Sequence, residues 1–150
     1  MVMAFALPAL AQKPKDKDAR RQEMLEFKLD YLGKELELRD DQKKQFNELY
    51  TQMENDRRAI LRRMKKAEKN IAEGKDVSES DYEKATKEIM NSRSEMVQIE
   101  QQYDEKFATF LSKKQMYKLK EAENKFMQKM QSCKNKKMSE DKKKQDSKGK

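Results

Sequence analysis

The chain has 150 residues, the length of one domain, and 43% of them are charged against 35% hydrophobic, with three Gly, two Pro and no Trp. That balance excludes a compact globule with a large core and leaves long helices rich in Lys, Glu, Gln, Arg and Met, with disorder as the competing reading. The net charge of +8 is carried by the ends: residues 12–22 hold five bases against two acids, residues 134–150 hold eight Lys against three acids, and the body from Glu23 to Cys133 is neutral with 23 of each sign. A uniformly basic nucleic-acid binder is thereby excluded, and no specific nucleic-acid partner is expected.

Residues 1–11, MVMAFALPALA, are apolar and uncharged and end in Ala9-Leu10-Ala11 before Gln12. They have the core and small-x-small cleavage site of a secretory signal peptide. The charged n-region is missing, which points to a signal peptide truncated at its N-terminus. The run is too short to span a bilayer as a helix, so no transmembrane segment is expected in a mature chain that starts at Gln12. The expected product is exported and soluble, with a helical domain over residues 12–133 and a disordered basic tail over residues 134–150.

Four helices are predicted, making the fold all-α. The first covers Ala19 to Leu36, where Leu25, Leu29, Leu32 and Leu36 form one stripe at helical spacing. The second covers Asp40 to Glu73 with Phe46, Leu49, Tyr50, Met53, Ile60, Leu61, Met64, Ala67 and Ile71 on one side, and Gly74 supplies the stop. The loop that follows offers two capping boxes, Ser80 with Glu83 as the stronger and Ser78 with Asp81 as its rival. A third helix is predicted from Asp81 to Phe110, burying Tyr82, Ala85, Ile89, Met96, Tyr103, Phe107 and Phe110. The fourth runs from Lys113 to about Cys133, with Met116, Leu119, Phe126 and Met130 along it. Two long helices joined by a short loop are expected to form an antiparallel hairpin. A hairpin so thin leaves one side open, and the small core makes a homodimer the expected remedy.

A short signal occurs twice. FLSKKQ, Phe110 to Gln115, places Ser112 and Gln115 at capping-box spacing, with Leu111 and Met116 at the positions of a hydrophobic staple. LRDDQ, Leu38 to Gln42, repeats it loosely. Arg39 stands where the capping hydroxyl should be and cannot accept a hydrogen bond, and Asp40 could cap one residue later. Gln42 then has no reciprocal role, and a looser bend or an almost continuous helix is expected there.

The paired motifs, Leu38-Arg39-Asp40-Asp41-Gln42 and Leu111-Ser112-Lys113-Lys114-Gln115, flank the long helical pair. In this they resemble the L-T-x-x-Q motifs of the periplasmic Spy and CpxP family. The order of signal peptide, short helix, motif, hairpin, motif, helix and basic tail is similar over nearly the whole chain. The resemblance implies an elongated, curved, cradle-like antiparallel homodimer in the periplasm. Spy-like members act as ATP-independent chaperones in envelope stress, holding unfolded or partly folded clients on a concave basic and apolar surface. CpxP-like members are regulatory modules that bind an envelope sensor kinase. Related members that sense heavy metals often do so through His, which this chain lacks.

The densest basic cluster of the body is NDRRAILRRMKK, Asn55 to Lys66. Arg57, Arg58, Ile60, Arg62, Arg63, Met64 and Lys66 are the candidate client-binding residues, because guanidinium groups beside Ile and Met suit acidic, aromatic and apolar groups alike. The competing reading is salt bridging to acids on neighbouring helices, such as Glu95 or Glu100. Most of the eleven Met, including Met53, Met64, Met96, Met116, Met127 and Met130, fall at core spacing, although Met also suits surfaces that accept many shapes. With no His and only Cys133, Ser-His and Cys-His catalysis are excluded, no enzyme, metal site or cofactor is expected, and Cys133 is a free thiol or an intermolecular link near the end of the last helix.

Overall fold

The computed structural model describes residues 16–146, with side chains to Lys142. Residues 1–11, the expected signal peptide, lie outside the described residues. Four α-helices follow one another: α1 (Lys17–Glu35), α2 (Asp40–Glu73), α3 (Glu79–Ala108) and α4 (Lys113–Asp146). Among the described residues there is no strand, and the all-α reading holds.

Each helix packs on two others: α1 on α2 and α4, and α3 on α2 and α4, with the most extensive contact between α2 and α3. Neighbours run in opposite directions. On α2 and α3 this brings Tyr103 to Asp56 and Arg63 to Glu95; on α1 and α2 it brings Lys28 to Glu54. The result is a ring of four helices around one apolar core.

The periodic leucines of α1 do what their spacing demands. Leu25, Leu29, Leu32 and Leu36 are buried against Phe46, Tyr50 and Met53 of α2, Tyr103 and Phe107 of α3, and Leu119 and Ala122 of α4. Aromatic rings fill the centre, with Phe46 5.3 Å from Phe107 and 5.5 Å from Tyr50 between ring centroids. Burying each such side chain stabilises the fold by about 1.5–3 kcal/mol relative to exposure.

The core is confined to one end. From Leu61 to Gln102, the only buried residue is Ser92. Tyr82, placed on the buried side by its spacing, is 48% exposed. Packing from α1 and α4 does not reach that far, so the distal half of α2 and α3 is covered only by the two helices themselves.

Helix boundaries follow local chemistry, with three departures from expectation. First, α3 starts at Glu79, and its cap is Ser78, not Ser80. The Asp81 N–H donates to Ser78 Oγ at 3.2 Å, and Asp81 Oδ2 accepts from the Ser78 N–H at 3.0 Å. A shorter Asp reaches back where the spacing suggested a Glu. Second, Gly74 supplies the expected stop of α2, but from an extended conformation. Glycine is required there by crowding: an added Cβ would lie 2.7 Å from the Asn70 carbonyl oxygen and 2.8 Å from Val77. Third, the chain stays helical past Lys134, the expected start of a disordered tail, and α4 continues to Asp146. The segment has no Gly or Pro, and its Lys, Gln and Met favour helix, so an existing helix propagates through it. Every residue from Gln131 to Lys142 is exposed. Cys133 therefore sits within a helix, exposed, and not at a fraying end.

Candidate functional site

The two motif copies meet. At the α3–α4 junction the capping box forms as its spacing requires: the Gln115 N–H donates to Ser112 Oγ at 3.1 Å and the Ser112 N–H donates to Gln115 Oε1 at 2.9 Å. At the α1–α2 junction neither a loose bend nor a continuous helix is found. Glu37 adopts a φ of 50°, the Leu38 N–H donates to the Gly33 carbonyl at 3.0 Å, and the Glu37 N–H donates to that of Lys34 at 3.1 Å. This is a Schellman stop with a glutamate where glycine usually stands. Arg39 then caps α2 with its backbone alone. Its guanidinium turns outward to Asp41 at 3.0 and 3.1 Å.

Gln42 has a reciprocal role after all. Its Oε1 accepts from the Arg39 N–H at 3.2 Å, and its amide faces that of Gln115. Each Nε2 donates to the other's Oε1 at 3.0 Å. The remaining donors reach backbone carbonyls of the opposite junction, Gln42 to Phe110 at 2.9 Å and Gln115 to Leu36 at 3.3 Å. Both amides thus make all four of the hydrogen bonds available to them. Gln42 is 4% exposed, with Leu36 and Leu111 buried in the same core. The repeat of Gln at one offset after Leu38 and Leu111 was the available signal for this pairing.

At the other end of the ring the basic cluster divides. Arg57 faces inward, donating to Glu54 at 3.0 Å and to Glu123 of α4 at 3.3 Å. Glu123 also accepts from the Tyr50 hydroxyl at 2.7 Å. Burial, then the charge of Glu123, pushes the Tyr50 hydroxyl far above its ordinary pKa. Burial works against the charge of Arg57, but Glu123, Tyr50 and Glu54 outweigh it and raise its pKa. Lys28 of α1 completes the group, 3.4 Å from Glu54 and 5.1 Å from the Tyr50 ring centroid. Nearby, Lys120 bridges Glu100 at 2.8 Å and Asp104 at 2.7 Å, and this bond to Lys120 holds the Glu100 carboxyl below its usual range. Tyr103 is pushed up to about 12 by burial and by its hydrogen bond to Asp56.

The other candidate residues separate on geometry. Arg63 pairs with Glu95 and, at 3.7 Å, with Glu88, so the salt-bridge reading holds for it and for Arg57, although Glu100 pairs with Lys120 instead. Ile60 is buried and unavailable to a ligand. Met64 is half-buried, and Arg62 and Lys66 are exposed. Arg58 lines two adjoining clefts. One, about 490 Å³, lies between α2, α3 and α4 with Leu61, Met96, Asn124 and Met127 on its walls. The second, between α1, α2 and α4, includes Arg21, Met24 and Phe126. Met127, expected in the core, is 61% exposed at this mouth.

Comparison with family models finds no match, and comparisons with curated proteins and with solved structures find none either. Among the described residues, no helix is long and apolar enough to cross a membrane, and no group of three or more Cys, Asp and Glu side chains is placed to hold a metal ion.

Proposed function

We propose that the protein is an exported, ATP-independent holdase of the Spy and CpxP type, working in the periplasm as a cradle-like homodimer. The observation that carries this reading is the mouth of the helix ring. There, flexible apolar side chains stand exposed beside arginines: Met24 is 46% exposed, Leu61 38% and Met127 61%. Contiguous exposed apolar surface rimmed by charge marks interaction sites, and methionine-rich surfaces repack around varied partners. The Gln42–Gln115 lock supports the family resemblance by giving the two motifs one shared structural task. The function needs no catalytic group and no cofactor.

The test is light scattering during dilution of a chemically denatured client, with no nucleotide present. Suppression at near-stoichiometric ratios across several unrelated clients is expected. No suppression with any client overturns the holdase reading. A pull-down from envelope extract separates this from the regulatory alternative: many weakly held proteins support the holdase, and a single sensor kinase supports the CpxP-type role.

A further inference from the structure

We infer that the mouth of the helix ring is a socket for extended segments in which a carboxylate stands beside a large apolar side chain. The inference rests on the holdase reading only for which proteins supply such segments.

The walls and the charge balance identify the occupant. Leu61, Met96 and Met127 come from three helices and converge on a space of about 490 Å³, large enough for one or two large apolar side chains. The acids of that cleft are already answered. Glu54 is held by Lys28 and Arg57, Glu123 by Arg57 and Tyr50, and Glu100 by Lys120. Arg21 in the adjoining cleft pairs with Asp18. Arg58 belongs to both clefts, is half-buried, and has no carboxylate partner among the described residues.

The unanswered charge continues along α2. Arg62 and Lys65 lie one and two turns beyond Arg58 on the same stripe, with Lys66 beside them. All three are exposed and none has an acid partner among the described residues. An apolar floor with positive charge on one wall complements a segment of alternating acidic and apolar residues. It repels the same segment carrying lysine.

The experiment uses the full chain and fluorescein-labelled twelve-residue peptides read by anisotropy at low and physiological salt. One peptide alternates Glu with Leu and Phe, a second replaces every Glu by Lys, and a third replaces the apolar residues by Ser. The first is expected to bind best, with affinity falling as salt rises. Arg58→Glu is expected to weaken it about tenfold and to tighten the Lys peptide, a reversal that mere loss of structure cannot produce. Arg58→Gln gives the intermediate result, and Leu61→Ser weakens the first peptide several-fold without changing the order. Equal binding of the Glu and Lys peptides, or unchanged affinities in Arg58→Glu with helicity intact, overturns the socket. Running the aggregation assay on the same variants separates the two claims. Suppression that persists in Arg58→Glu alongside unchanged peptide affinities leaves the holdase standing without the socket. Peptide binding of the expected order, with no suppression by the unmodified protein, leaves the socket standing without the holdase.

Discussion

Gln42→Ala tests whether the fold is closed by the amide pair or only by the leucines around it. The substitution removes the donor to the Phe110 carbonyl and both bonds of the reciprocal pair with Gln115. The Arg39 N–H also loses its acceptor, but Arg39 is exposed and water replaces it. The three lost neutral hydrogen bonds contribute about 1 kcal/mol each, giving a loss of about 3 kcal/mol. With a urea slope of about 1.5 kcal/mol/M, the unfolding midpoint falls by about 2 M, read by circular dichroism at 222 nm. Gln42→Glu keeps size and acceptor but, ionised, has no N–H to give, so it is expected to be at least as damaging as alanine at neutral pH. Gln115→Ala costs about 2 kcal/mol, since Gln115 is less buried, and the double variant falls short of the sum by about 1–2 kcal/mol because either single change already breaks the shared bonds. A midpoint drop below about 0.5 M for Gln42→Ala, or strict additivity, refutes the lock and leaves the apolar contacts as the whole cause.

Other expectations follow from the same geometry. Glu37→Gly relieves a non-glycine residue at φ 50° and gives up only an exposed ion pair with Lys118 at 3.4 Å, so urea melts should show a gain of about 0.5–1 kcal/mol. Ser78→Ala is expected to cost about 1 kcal/mol and Ser80→Ala almost nothing in the same melts, which decides between the two caps. Arg57→Met leaves Glu123 with only Tyr50 and costs about 2–3 kcal/mol, part of which the double variant Arg57→Met with Glu123→Gln restores. The Glu100 carboxyl is depressed in the folded state by Lys120, so its contribution is present above the ordinary carboxylate range and is lost as pH falls through the folded value. Lys120→Met should therefore flatten the decline of thermal stability below about pH 4, measured from pH 2 to 7.

The parts of this fold legible in the sequence are those set by short-range chemistry. The leucine stripe of α1, the bounds of α2 and the Ser112–Gln115 box all follow from spacing within one helix or one turn. The parts that were not legible depend on a distant partner or on competition between equals. Nothing local assigns Gln42 to Gln115, because their meeting requires both turns to stand at the same end of the ring. Arg57 and Arg58 are adjacent and chemically alike. The helix turns one toward Glu123 and the other into the clefts, so the basic cluster splits into a structural and an available half that composition treats as one. Ser78 and Ser80 both sit before an acid at the same spacing, and the choice between them rests on which one the loop from Gly74 delivers in an extended conformation. The continuation of α4 is not legible in the apolar pattern, because missing periodicity does not mean missing helix. Periodicity reports packing, whereas propagation needs only residues that do not break the helix.

The mouth itself is a consequence of unequal packing lengths. The two Leu-to-Gln turns are tied together, so all four helices are in register at that end. From there α1 offers buried leucines only as far as Leu25, and the buried residues of α4 end at Phe126. The 34 residues of α2 extend roughly 50 Å and pass that level by several turns. Where the covering helices stop contributing apolar side chains, Leu61 of α2 and Met127 of α4 still follow the core stripe and have nothing to pack on. Arg57 can reach back to Glu123 from this level, but Arg58 cannot, and Arg62 and Lys65 lie beyond it. The exposed apolar residues and the unanswered arginine thus share one cause, and that cause fixes them beside each other. Extending the core by one layer, with leucines at Arg21 and Met127, should close the clefts and raise stability while abolishing peptide binding. An extended variant that melts higher in urea yet binds the acidic-apolar peptide as before would show that the peptide binds elsewhere.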